Sequence, residues 1–121
     1  MITTVDVETS WQKNENGGYD PSPFHPDNIL VSVGINDKYY FTNHSERIDK
    51  GCYHDIQSIL DKTTLLVGHN IKFDLMWLLE SGFKYSGRVY DTMLGEYILN
   101  RGIRKSLTLE MSCRRRKIGS K

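Results

Sequence analysis

The sequence lacks a hydrophobic run long enough to cross a bilayer, and it has only two cysteines. No stretch approaches the roughly 20 consecutive apolar residues that a membrane-spanning helix needs. The N-terminus also lacks the basic and then apolar pattern of a signal peptide. Cys52 and Cys113 are too few and too far apart for a disulfide scaffold or a cysteine-based zinc site. These absences predict a soluble domain that works inside the cell.

The chain of 121 residues has the length of one ordinary domain, and its net charge of +1 hides an asymmetry. Residues 1–100 contain 8 Lys and Arg against 14 Asp and Glu, whereas residues 101–121 contain 8 Lys and Arg against Glu110 alone. This split predicts an acidic working site beside a tail that attracts phosphate. A solvated terminal helix rich in Lys and Arg explains the same run equally well.

The hydrophobic pattern alternates between strand and helix. We predict strands at 2–7, 29–35, 38–42, 64–67 and 88–90, and helices at 53–61, 71–79, 93–99 and after Ser106. A polar loop spans residues 10–27, Asn70 is expected to cap the second helix, and Asp91 the third. Three strands joined by short turns and then alternating helices and strands predict an α/β fold with a mixed sheet, in which antiparallel strands are followed by parallel crossovers. This order is the ribonuclease H-like arrangement, with helices packed on the sheet.

Two carboxylates stand in the otherwise β-branched first strand. Asp6 and Glu8 are two residues apart, and side chains at that spacing project from the same face of a strand. Like charges placed side by side repel each other unless a cation lies between them. Hard oxygen ligands of this kind suit Mg²⁺ or Mn²⁺. The pair therefore predicts a divalent-metal site, while an exposed polar strand face is the open alternative.

A third carboxylate, Asp74, lies in the first turn of the second predicted helix. The helix dipole stabilises a carboxylate in that position, and this alone would explain Asp74. The apolar strand before the helix is expected to pair with the strand of Asp6, so that the helix would overhang Asp6 and Glu8. We therefore expect the three carboxylates to converge, an arrangement that suits two-metal hydrolysis of a phosphodiester.

Three segments together resemble a known family. They are Val5-Asp6-Val7-Glu8-Thr9, Asn70-Ile71-Lys72-Phe73-Asp74 and Tyr90-Asp91-Thr92-Met93-Leu94-Gly95-Glu96-Tyr97-Ile98-Leu99-Asn100. In this order they are similar to the proofreading 3′–5′ exonuclease domain of DNA polymerase I-like (family A) polymerases, above all those of bacteriophages. The likeness covers nearly the whole chain, so residues 1–121 are interpreted as one exonuclease domain.

The resemblance implies an enzyme that removes mispaired nucleotides from DNA 3′ ends with two Mg²⁺ or Mn²⁺ ions. It assigns catalysis and metal binding to Asp6, Glu8 and Asp74. It assigns contacts with the terminal nucleotide to Thr9, Asn70 and Phe73. The implied partners are a single-stranded DNA 3′ end and the remaining exonuclease and polymerase portion, in the cytoplasm of a phage-infected bacterium and without a membrane.

One part of the family pattern is missing from this sequence. The third motif of the family places an aspartate on a later helix, and no aspartate follows Asp91 here. We therefore expect the chain to be the front of an exonuclease domain, with impaired hydrolysis. Apolar surface around Leu107, Leu109 and Met111 would then favour self-association. Two alternatives stay open, namely a non-catalytic nucleic-acid-binding or interaction fragment and an RNA-processing exonuclease of the same superfamily.

Overall fold

The computed structural model describes residues 1–13, 17–20, 22–24, 26–43, 51–100 and 107–115. Its strands are β1 (Ile2–Thr9), β2 (Gln12–Lys13), β3 (Tyr19–Asp20), β4 (Leu30–Ile35), β5 (Lys38–Phe41), β6 (Leu65–Gly68) and β7 (Arg88–Asp91). Its helices are α1 (Cys52–Lys62), α2 (Ile71–Glu80), α3 (Thr92–Leu99) and α4 (Leu109–Arg115). The predicted starting point of the last helix, Ser106, lies outside the described residues.

Five of the strands form one mixed sheet in the order β5-β4-β1-β6-β7. The pairs β4 with β5 and β1 with β4 are antiparallel, whereas β1 with β6 and β6 with β7 are parallel. The predicted α/β class is confirmed, and the sheet has the expected ribonuclease H-like arrangement of three antiparallel strands followed by parallel crossovers. Strand β1 is therefore central, with an antiparallel neighbour on one side and a parallel neighbour on the other.

The two faces of β1 differ in burial because its side chains alternate. Thr3, Val5 and Val7 are buried, and the side of the sheet that carries them is called the packed face. Asp6 is half-buried and Glu8 is exposed, and their side is called the open face. Strand β6 follows the same division, since its buried Leu66 pairs with Thr3.

Helices α1 and α2 cover the packed face. α1 contributes buried residues at helical spacing, Cys52, Ile56 and Leu60. α2 contributes Ile71, Trp77 and Leu78. These side chains join Val5, Val7 and Leu66 in one hydrophobic core. Because burying one such aliphatic side chain stabilises a fold by about 1.5–3 kcal/mol, the packed face holds the domain together.

The segment predicted as a plain loop at 10–27 contains a short antiparallel hairpin of β2 and β3. The segment is held mainly by side chains bonded to the backbone. The buried Asn28 donates from Nδ2 to the carbonyls of Asp20 at 2.7 Å and Ser22 at 2.9 Å, and Ser10 Oγ accepts from the Ile29 N–H at 2.7 Å. Such bonds leave no hydrophobic period in the sequence, which is why the pattern did not predict the hairpin.

The two predicted helix caps have different outcomes. Asp91 caps α3 as expected, because its side chain accepts from the Met93 N–H at 2.9 Å. Asn70 occupies the N-cap position of α2 as predicted, but its side chain makes no capping bond and its backbone is left-handed, with φ 61° and ψ 53°. Asparagine tolerates this conformation better than most residues, so Asn70 serves as a turn residue.

Among the residues that the structure describes, no helix has both the length and the apolar character needed to span a bilayer.

Candidate functional site at the carboxyl edge of the sheet

Asp6 and Glu8 lie side by side on the open face, as their spacing predicts. Asp6 stands opposite Gly34 of β4, and Glu8 stands opposite Ser32. The parallel pairing with β6 covers Ile2 to Thr4 only, so the carboxyl half of β1 extends past the pairing with β6. Both carboxylates therefore project near the carboxyl edge of the parallel strands, where the loops that follow β6 and β7 also begin.

Asp74 lies in the first turn of α2, which follows β6. It is only 4% exposed, and a Cβ atom added at Gly68 would lie 3.3 Å from its Oδ2 atom. The same added atom would lie 2.7 Å from Cδ1 of Ile71, a residue of the core. The side chain of Asp74 thus lies against the buried Gly68 at the end of β6.

The expected convergence of the three carboxylates is not observed. In the described parts of the chain, no group of three or more His, Cys, Asp and Glu side chains is arranged to hold a metal ion. Exonucleases of the family that the sequence resembles normally use divalent metals, and hard carboxylate oxygens are suitable ligands for them. In this arrangement Asp6, Glu8 and Asp74 therefore do not form a metal-binding group, although Asp6 and Glu8 share one face of β1.

The three residues expected to contact a nucleotide differ in their position in the fold and in the exposure of their side chains. Thr9 ends β1, directly after an irregularity in the register with β4. Asn70 is exposed in the turn between β6 and α2. Phe73 is half-buried and packs against the hydrophobic core. Of the three, Asn70 therefore presents the most accessible side chain, while the ring of Phe73 helps to fix α2.

The Asp91 carboxylate links the two loops at the carboxyl edge. Its Oδ1 atom accepts from the Asn70 N–H at 2.8 Å and from the Met93 N–H at 2.9 Å. One oxygen thereby caps α3 and also holds the turn that leads into α2, the helix of Asp74. The sequence predicts the first of these bonds from the helix start, but the second joins residues 21 positions apart and has no local signal.

His69 makes a second connection at this edge, which the sequence did not suggest. Its Nε2 atom donates to the Leu107 carbonyl, and its Nδ1 atom lies 2.9 Å from Thr92 Oγ1. A carbonyl oxygen only accepts, so Nε2 carries the proton in the neutral ring and Nδ1 accepts from the Thr92 hydroxyl. The position of His69 directly after the apolar β6 was the available clue, since the carboxyl ends of parallel strands gather polar side chains.

A pocket of about 290 Å³ opens on the open face beside Asp6. Its lining includes Asp6, Gly34 and Tyr39 from the antiparallel strands, Gly68 at the end of β6, and the later residues His69, Thr92 and Leu109. The size is near the lower limit for small-molecule sites in proteins. The pocket therefore places the candidate carboxylate Asp6 in a concave, accessible setting, which an exposed polar strand face alone would not provide.

The basic tail is described only in part. Arg114 forms an ion pair with Glu110 at 2.8 Å, and both side chains are largely exposed. An exposed pair at i, i+4 on a helix contributes little to stability, about 0.3–0.5 kcal/mol. The prediction that the tail attracts phosphate stays untested, because residues 101–106 and 116–121 lie outside the described part of the chain.

The fold and the sequence together define the class of protein. The described chain is an α/β domain with a ribonuclease H-like mixed sheet. Residues 18–109 match the 3′–5′ exonuclease family, and because this stretch is most of the chain, the protein belongs to that family. The matched stretch contains Asn70, Phe73 and Asp74 and begins after Asp6 and Glu8. A search among curated proteins gave no match.

Proposed function

We propose that this protein is the proofreading 3′–5′ exonuclease domain of a phage-type DNA polymerase and acts on DNA 3′ ends. The observation that carries the proposal is the family match over residues 18–109 on a ribonuclease H-like sheet. The pocket beside Asp6 supports it, because this pocket offers a concave surface that includes the Asp6 carboxylate at the carboxyl edge. Ligands of open α/β sheets bind at that edge.

Within this proposal, Asp6 and Glu8 are the principal catalytic carboxylates and Asp74 is the third. Two carboxylates on one strand face repel an approaching phosphodiester, so a cation must offset their charge before DNA can bind there. We propose Mg²⁺ or Mn²⁺ for this role. Since the described carboxylates form no group of three metal ligands, the hydrolysis by this chain is expected to be slow.

A strand-shortening assay tests the proposed activity. Single-stranded DNA labelled at its 5′ end is incubated with the protein and Mn²⁺, and the products are separated by length. Slow removal of nucleotides from the 3′ end gives a ladder of labelled products, and Asp6→Asn is expected to reduce the rate at least about tenfold. Asp37→Asn is the matched control, because Asp37 is an exposed carboxylate in the turn between β4 and β5.

Two results would contradict the proposal. Release of the labelled nucleotide itself would mean attack from the 5′ end. Equal rates for the wild type and Asp6→Asn would show that the Asp6 pocket takes no part in hydrolysis. Titration calorimetry with Mn²⁺ examines the metal separately, and identical heats for the wild type and an Asp6→Asn, Asp74→Asn double variant would argue against a metal held by these residues.

One observation favours a second candidate function. Since the described carboxylates do not form a metal group, the chain could bind nucleic acid without cleaving it. The same shortening assay, combined with a binding measurement on the same DNA, distinguishes the exonuclease from a protein that only binds nucleic acid. Binding without any shortening in Mn²⁺ or Mg²⁺ supports a non-catalytic nucleic-acid-binding role.

We also propose a contact surface for further protein on α3 and β7. Their exposed apolar residues are Val89, Tyr90, Leu94, Tyr97, Ile98 and Leu99. A cluster of this kind on one helix and the neighbouring strand suits a protein partner. The proposed occupant is the remaining exonuclease and polymerase portion or, failing that, a second copy, in the cytoplasm of a phage-infected bacterium. Sedimentation over a range of concentrations tests self-association, and a monomer throughout would exclude the second copy.

A further inference from the structure

Three residues form a row across the open face. Asp6 of β1 pairs with Gly34 of β4, and Gly34 pairs with Tyr39 of β5. Residues that pair across neighbouring strands share a face of the sheet, so all three side-chain positions point to the same side. The row thus places a carboxylate and an aromatic ring on either side of a glycine.

Gly34 allows the Tyr39 ring to lie low over the sheet. A Cβ atom added at Gly34 would lie 3.0 Å from Cε1 and 3.4 Å from Cδ1 of the Tyr39 ring. The ring edge therefore occupies the space that a side chain at position 34 would fill. Tyr39 is nevertheless 60% exposed, so much of the ring surface faces solvent.

The Tyr39 ring and the carboxylate line the same pocket. The lining of this pocket of about 290 Å³ includes Gly34 and Tyr39 from β4 and β5, and it also includes His69, Thr92 and Leu109. Asn36 lies beside Tyr39 in the lining, and its Oδ1 atom is fixed by the Thr4 N–H at 3.0 Å. The pocket is therefore built mostly of strand residues whose positions the sheet hydrogen bonds set.

The chemistry of the lining favours a base over a phosphate. The described residues that line the pocket include no Lys or Arg, and both ring nitrogens of His69 are already within hydrogen-bond distance of Thr92 and Leu107. The Asp6 carboxylate is assigned to the cation of the proposed function, so the contact with a base falls to the aromatic ring of Tyr39. An exposed aromatic ring offers a stacking surface, and a stacked base contributes about 1–3 kcal/mol to binding in proteins that hold single strands.

We propose that the pocket between Tyr39 and Asp6 binds one nucleobase of the DNA end, which stacks on the Tyr39 ring over Gly34. The inference rests on the proposed function, because it takes a single-stranded DNA end as the occupant. It adds a substrate-binding residue on β5, at a site where neither the sequence motifs nor the family match suggests one. The alternative is that Tyr39 only shields the backbone of Gly34.

Deoxyadenosine is the probe, since it carries a base but no phosphate and needs no metal. In a titration of ¹⁵N-labelled protein followed by NMR, we expect the largest shifts at the amides of Gly34, Asn36 and Tyr39. Tyr39→Ala is expected to weaken binding about tenfold, and Tyr39→Phe to keep it, because the ring alone is required. Gly34→Ala should also weaken binding, since the added methyl group displaces the ring.

Phe24→Ala is the matched control, because Phe24 is an aromatic residue about as exposed as Tyr39 and does not line the pocket. Equal affinities for the wild type and Tyr39→Ala, or shifts that centre elsewhere, would overturn the inference. The outcome is independent of hydrolysis. If Asp6-dependent shortening of DNA is found without any effect of Tyr39, the exonuclease proposal stands and the base pocket fails. If the nucleoside binds at Tyr39 and no DNA is shortened, the base pocket stands and the exonuclease proposal fails.

Discussion

The packed and open faces of one sheet have different compositions and different roles. On the packed face, Val5, Val7 and Leu66 lie under α1 and α2. On the open face the same two strands carry Asp6, Glu8 and a pocket. Because side chains alternate along a strand, both faces are encoded by neighbouring residues. A rigid core directly behind a candidate site keeps that site in place, which explains how the face that holds Asp6 can be polar and open.

Two glycines on opposite faces offer the sharpest test of this difference. An alanine methyl group at Gly68 would meet Cδ1 of Ile71 at 2.7 Å and the Val5 carbonyl oxygen at 3.3 Å, within the core. We expect Gly68→Ala to lower the free energy of unfolding by about 1–3 kcal/mol, which is typical of overpacking. At Gly34 the added atom meets the far end of the exposed Tyr39, so Gly34→Ala is expected to change stability by less than about 0.5 kcal/mol.

Urea unfolding followed by circular dichroism measures both variants. If the two substitutions are equally destabilising, the packed and open faces do not differ in the way described. A large effect at Gly34 alone would mean that the position of the Tyr39 ring is important for stability as well as for the proposed base pocket.

Substitution of Asp91 tests whether one carboxylate holds both the turn before α2 and the start of α3. Asp91→Ala removes the acceptor for both the Asn70 and Met93 N–H groups, and loss of a helix cap destabilises a protein by about 0.5–2 kcal/mol. Asp91→Asn is the control, since its side-chain oxygen can still accept. We expect unfolding to show the loss for alanine, and amide hydrogen exchange at Asn70 and Met93 to increase. Unchanged exchange at Asn70 would show that the turn before α2 is held without Asp91.

The smallest expected effect concerns the outer surface of α1. Tyr53 stacks on Phe83, with ring centroids 5.1 Å apart, and burial raises the pKa of its phenol, with a further contribution from the neighbouring Cys52. The folded state then resists ionisation, so stability is fully present below the usual tyrosine pKa of about 10 and falls as the pH rises above it. Tyr53→Phe should slightly reduce the loss of stability at alkaline pH, which thermal unfolding between pH 9 and 11 measures. An identical pH dependence in the variant would contradict the contribution of Tyr53.

The sequence predicted the sheet better than the site. The five strands of the main sheet and the first three helices were found from apolar alternation and helical spacing, because burial on one face imposes those periods. Asp91 was identified as a cap because a helix start has a local signal. The α/β class therefore follows from these two periods in the sequence.

The geometry of the candidate site depends on contacts between distant residues, which leave no local pattern in the sequence. Nothing in the residues around Asp74 shows that its side chain lies against Gly68, because that depends on how α2 is rotated over the sheet. The left-handed backbone of Asn70 is likewise fixed by Asp91, 21 positions later. The spacing of Asp6 and Glu8 predicted their shared face correctly, since it depends on one strand alone.

The hydrogen bond from His69 to the Leu107 carbonyl has a consequence for the way the native domain opens. It joins the segment that leads into α4 to the carboxyl edge of the sheet, where Thr92 lies within hydrogen-bond distance of the other ring nitrogen of His69. A side-chain contact of this kind opens more readily than a helix packed in the hydrophobic core, as α1 and α2 are. We therefore expect α4 to be the first helix to open when the native domain fluctuates.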